Sequence, residues 1–244
     1  MKQPNIKSEL VKKLRQDILE RQGYQSAAHN NRMDFGLGPL ENAFPNGVFP
    51  EGCVHELISQ GSEQAAATSG FIAAVLGKIM KPGGMSVWVS CTRTVFPPGL
   101  KFFGVDPDRV IFIDVKNKKD LLWIIEQCLK CQALSAVIAE LKEIGLTESR
   151  RLQLAVEQSH VTGFMHRINP AVINHTAAAA RWRISPVASM LCGGLPGVGF
   201  FHWHVELLKV RNGEPGSWNI AWMPGYFSHN QAKALQSETL LKTG

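Results

Sequence analysis

The 244-residue chain lacks any apolar run near the ~18 residues that would cross a bilayer as a helix. Its opening stretch, MKQPNIKSELVKKLRQDILE, lacks the apolar segment of a secretory signal. Cysteine is sparse and odd in number, five in all and scattered. That argues against a disulfide framework and for a reducing, cytoplasmic setting. Internal repeats and low-complexity tracts are absent too, which sets aside solenoids and disordered arrays. No G-x-S-x-G elbow occurs and the histidines fall in unrelated places, so triad chemistry has no footing.

What is present suits a globular protein: hydrophobic residues make up 45% and charged ones 19%. The length fits one large domain, or one domain with a small appendage. Net charge is +6 and the pI is near 9.1. Residues 1–24 carry six Lys/Arg against three acids, residues 181–244 repeat that balance, and the middle holds fourteen of each sign. The excess therefore sits at the two ends, where it could meet an acidic partner or a nucleic-acid backbone.

Residues 8–22 predict an amphipathic helix with an apolar stripe of Leu10, Leu14 and Ile18. Residues 23–34 are polar and irregular, a linker to the body. A lone helix of this length is marginal in water and needs a docking surface. From residue 53 the pattern alternates. Strands are expected at 53–58, 85–91, 109–115, 135–141 and 160–168, and helices at 63–80, 119–132 and 149–159. Strands separated by helices imply crossovers and a mainly parallel sheet covered on both faces. After residue 178 the grammar changes, and HWHVELLKVR (202–211), a Gly/Pro turn and SWNIAWM (217–223) predict an antiparallel hairpin. A short helix over 229–242 closes the chain.

The stretch ISQGSEQAAATSGF (58–71) carries an octet that looks like a phosphate-binding loop, G-x-x-x-x-G-K-[ST], stripped of its contacts. Gly61 begins it and Thr68 ends it, but Ala66 and Ala67 stand where the second glycine and the lysine belong. The next lysine downstream is Lys78, some three helical turns away.

The order of parts is similar to that of a known family. FGLGPLENAFPNGVFPEGCVHELI (35–58) resembles the lead-in of RecA-like proteins and, more closely, of ImuA-type proteins, RecA/SulA-related accessory factors of error-prone DNA repair. VELLKVRNGEPGSWNIAW (205–222) resembles the family's C-terminal hairpin. Together they cover roughly residues 35–223. The resemblance implies a degenerate RecA-like core over 35–223, and the sequence pattern adds an N-terminal helix and linker over 1–34 and a helical tail over 224–244. In RecA-like ATPases the second strand ends in the glutamate that activates water, and here it runs into Ser90, Cys91 and Thr92. Glu140 in SAVIAEL stands where the Walker B acid would be. One carboxylate without lysine or base cannot run phosphoryl transfer, so the expectation is a binding protein, with no enzyme activity and no cofactor.

The resemblance further implies an ImuB-type polymerase-like partner, a DnaE-type error-prone polymerase, and RecA itself. Two rivals stand beside it: a RecA-like ATPase with a divergent loop, and a SulA-like cell-division inhibitor. Arg181, Arg183, Lys209, Arg211 and Trp218 are the candidate DNA or partner contacts of the body, since aromatics interleaved with bases can form a single-strand platform. The bland alternative is that Trp203, Trp218 and Trp222 are partly core of the hairpin and the bases are its wet face. By strict alternation Val205, Leu207 and Lys209 would share a face with Arg211. Cys128 and Cys131, or Cys192 with His202 and His204, fall short of the four ligands that zinc takes, and no metal is expected.

Overall fold

The computed structural model describes residues 34–189 except Pro82, residues 199–229, and near the N-terminus residues 9–11, 13, 14, 17 and 18. The expected linker and C-terminal helix lie outside the described residues, apart from Asp34 and His229. The described part of residues 9–18 is helical, and Leu10, Val11, Leu14 and Ile18 are all exposed.

The fold is α/β. Its strands are β1 (Val54–Ser59), β2 (Met85–Ser90), β3 (Val110–Asp114), β4 (Leu134–Leu141), β5 (Thr162–Ile168), β6 (Ala180–Val187), β7 (Phe201–Val210), β8 (Gly216–Met223) and β9 (Tyr226–Ser228). They form a single sheet in the order β3-β2-β4-β5-β1-β6-β7-β8-β9. Neighbours from β3 through β6 pair in parallel, and β6 to β9 pair antiparallel. The expected hairpin is thus part of a longer meander. β6 is its hinge, parallel to β1 on one edge and antiparallel to β7 on the other.

Three helices cover the faces: α1 (Gly61–Ile79), α2 (Lys118–Leu129) and α3 (Leu146–Ser159). Residues on β1 are buried along the whole strand, as expected of a central parallel strand with layers on both sides. One core gathers Leu57, Trp88, Ile138, Phe164, Trp182 and Trp222 from the sheet with Phe71, Ile72 and Leu76 of α1. The lead-in segment seals it through Phe35, Leu37, Leu40, Phe44 and Phe49. The other core sets Val87, Val137 and Ala139 against Ile125 and Leu129 of α2 and Leu152 and Val156 of α3.

Candidate functional site

The carboxyl ends of β1, β2, β4 and β5 form the edge where open α/β sheets take ligands. Only Gln60 separates β1 from α1. The octet Gly61–Thr68 therefore lies inside the helix, as its first two turns. The local reason is composition: Ser-Glu-Gln followed by three alanines favours helix, and the second glycine that would keep a loop open is missing. Gly61 has φ +76, the left-handed conformation that lets the chain turn straight from strand into helix.

Two backbone donors at this junction are already used. The Gly61 N–H donates to Asn169 Oδ1 at 2.6 Å, and the Gln60 N–H donates to Gln64 Oε1 at 2.9 Å. Ala67 packs into the core. Thr68, which closes the octet, is fully buried, with Oγ1 2.8 Å from Ser59 Oγ. Ser59 Oγ lies in turn 2.8 Å from His166 Nε2. Burial pushes the His166 pKa down to about 3, so the ring is neutral, and its buried Nδ1 has no partner. Lys78 sits at the far end of α1, where it donates to the Gly225 carbonyl at 3.1 Å.

Glu140, the penultimate residue of β4, lies beside His166, its partner in register on β5. Its Oε1 accepts from Trp88 Nε1 at 2.8 Å, and the Thr94 hydroxyl lies 3.3 Å from both oxygens. Burial raises its pKa against the lowering effect of these two bonds. A carboxyl held this way is poorly suited to gather a hydrated cation. Cys91, Thr92, Leu122, Glu140, Lys142 and Ile168 are among the residues lining a cavity of about 470 Å³ at this edge.

The basic candidates are held differently from the expectation. A bulge shifts the register of β6 and β7 so that Trp182 faces Leu207 while Arg181 faces Lys209. Strict alternation therefore fails: Leu207 points into the α1-side core with Val205, and Lys209 lies on the opposite face with Arg181. Arg181 Nε donates to Glu56 Oε2 at 2.7 Å and Nη2 to the Asn174 carbonyl at 2.6 Å. Lys209 Nζ donates to the Thr176 carbonyl at 2.9 Å, and Arg211 Nη2 to the Ala177 carbonyl at 2.8 Å. Burial, with Arg181 and Arg211 nearby, lowers the Lys209 pKa. Arg183 is more open and faces Glu206 at 3.4 Å. Trp182, Trp203 and Trp222 are core, and Trp218 is half-buried against it.

Sequence reasoning missed the pair at the centre of this cluster. Arg167 and Glu56 are both buried, with Arg167 Nη1 2.7 Å from Glu56 Oε1. Arg167 also donates to Glu143, Asn174 and the Val172 carbonyl. The signal was a charged residue set in each of two otherwise apolar strands, VHELIS and TGFMHRI. Together these cations fix the segment between β5 and β6 by its own carbonyls.

Among the described residues no three His, Cys, Asp or Glu side chains converge as metal ligands, and no helix is long and apolar enough to cross a membrane. No family model matches the chain. Protein ImuA of Caulobacter vibrioides, with the same figures in two strains, is 33% identical over 198 residues, covering 76% of this chain and 81% of the relative.

Proposed function

The chain belongs to the ImuA family, and from that premise we propose that it is a non-catalytic adaptor of an error-prone DNA synthesis assembly. Membership points to the DNA damage response; the adaptor role is the finer step. In this reading the scaffold is a RecA-like core whose nucleotide chemistry has lapsed, working in the cytoplasm. The observation that carries it is the β1–α1 junction. The octet is helix, its lysine and second glycine are alanines, and its threonine is bound into the buried Ser59–His166 chain.

A phosphate loop works by presenting free backbone N–H groups and a lysine to the phosphates. Here the N–H groups of Gln60 and Gly61 serve Gln64 and Asn169. Thr92 stands at the strand end where a base would act. What remains is binding, and the exposed stripe of Leu10, Leu14 and Ile18 is the element that reads most directly as a partner contact. An amphipathic helix of this kind docks its apolar face in a groove.

The partners of this reading are an ImuB-type polymerase-like protein, a DnaE-type error-prone polymerase, and RecA. Calorimetric titration of the purified chain into an ImuB-type protein tests it. Binding that weakens when Leu10, Leu14 and Ile18 are changed to Ser supports the adaptor. Absence of binding to any of the three proteins contradicts it.

A further inference from the structure

Glu140 is a buried acid that no cation answers. It is 6% exposed, and its oxygens take only the Trp88 indole N–H and the Thr94 hydroxyl, both neutral donors. The arginines that reach this end of the sheet are spent elsewhere. Arg93 holds Asp114 at 2.6 Å, and Arg167 holds Glu56 and Glu143. His166 beside it is neutral and gives its Nε2 to Ser59. Lys142 stands exposed at the rim of the same cavity. Among the described residues no ion pair includes Glu140. Buried charges are ordinarily paired, and a desolvated acid in a cleft marks a binding site more often than a structural one.

The position in the fold points the same way. β2 and β4 are neighbours in the sheet, yet the chain leaves their carboxyl ends toward opposite faces. After β2 it crosses to α1, where Phe103 lies against Gly70 and Gly77. After β4 it passes to α3, whose Leu152 and Val156 pack in the other core with Val137. Such a parting of connections opens the crevice in which open α/β sheets take small ligands. The cavity of about 470 Å³ lies there, with Glu140 in a wall otherwise built largely from Leu121, Leu122, Leu141 and Ile168. Its size falls within the range of roughly 300–1,000 Å³ that suits a small molecule.

We propose that this cavity binds a small organic cation, an apolar body carrying one protonated amine, with the ammonium group on Glu140 and the body against the four aliphatic side chains. The chemistry excludes the other guests. A phosphate or a carboxylate would meet Glu140 as a like charge. A metal ion takes several oxygen ligands, and no such cluster forms among the described residues. A wholly apolar molecule would leave the acid unanswered. Glu143, already bonded to Arg167 and Ala171, is not needed as an anchor. This binding stands beside the adaptor role and does not depend on it.

Titration of the nitrogen-labelled full chain with three probes of matched shape, followed by amide and indole NMR signals, tests the proposal. The probes are phenethylamine, phenethyl alcohol and phenylacetate. Phenethylamine binds saturably and at least about tenfold more tightly than the alcohol, the share of a charge-assisted hydrogen bond, and phenylacetate does not bind. The Trp88 indole N–H signal moves with the amine, because it donates to the same carboxyl oxygen. Glu140→Gln, whose amide oxygen still accepts from Trp88, keeps its urea midpoint and binds amine and alcohol alike. Thr92→Trp, which fills the cavity from an exposed position, loses both. Leu154→Asp, exposed on α3 away from the cavity wall, binds as the parent does. A parent chain without saturable amine binding, or a preference for the amine that survives Glu140→Gln, overturns the proposal.

Discussion

Replacing Arg167 with leucine should be among the most damaging single changes in the chain. The guanidinium is fully buried and donates to Glu56 Oε1 at 2.7 Å, Asn174 Oδ1 at 3.0 Å, Glu143 Oε2 at 3.1 Å and the Val172 carbonyl at 2.7 Å. Leucine removes all of these and leaves Glu56, itself 1% exposed, facing Arg181 and Thr176 alone. Breaking a buried pair from one side costs about 3–5 kcal/mol, because the remaining charge stays desolvated. Against a total stability of ~5–15 kcal/mol this is a large share. In urea, with a slope of ~2–3 kcal/mol per M, the midpoint should fall by roughly 1–2 M. Glu143→Gln is the control: its carboxylate is half exposed, and the cost should stay below ~1 kcal/mol. A loss under ~1 kcal/mol for Arg167→Leu would refute the reasoning, for it would mean that Glu56 finds water or another partner.

Stability should fall as pH drops below 6.5, because burial holds His166 near a pKa of about 3 and His55 near about 4. A depressed pKa means the unfolded chain takes the proton first, so the slope reaches ~1.4 kcal/mol per pH unit for each ring; midpoints flat from pH 7 to 5 would contradict it. Lys209→Glu with Arg211→Glu should cost more than the ~0.5 kcal/mol of ordinary surface changes, since both side chains hold carbonyls of the 169–179 segment; an unchanged unfolding midpoint would show those bonds to be dispensable. Deleting residues 1–24 should leave the thermal midpoint of the body nearly unchanged while weakening a partner contact, and collapse of the fold would show that the Leu10, Leu14 and Ile18 stripe is buried at home.

Much of the fold is legible in the sequence, and what escapes has physical reasons. Parallel strands buried on both faces read as short apolar runs, so VHELIS, MSVWVS and LSAVIAEL stand out at once. The role of β6 does not, because nothing local says that one strand pairs in parallel on one edge and antiparallel on the other. The bulge opposite Arg181 and Trp182 has no glycine or proline to announce it, and it alone moved Lys209 to the other face. β9 spans three residues, too short for any periodicity. Of the candidate site, Thr68 came from the spacing of the octet and Glu140 from the resemblance, and the structure sets them in α1 and near the end of β4. Ser59–His166 and Glu56–Arg167 join residues more than a hundred positions apart, and no local pattern connects them.

In the proposed function the β1–α1 junction is a closed structural joint and the protein acts by binding. Steady-state ATP turnover by the purified chain, with magnesium present and Thr68→Ala as the paired control, tests it most directly. Missing both the lysine and the activating carboxylate should cost more than the ~10³–10⁵ that one transition-state cation supplies. Turnover should therefore stay at background in both proteins. It should stay there in Ala67→Lys as well, since Ala66 still blocks backbone approach and Thr92 supplies no base. Hydrolysis above background in the parent chain that disappears in Thr68→Ala would contradict the account.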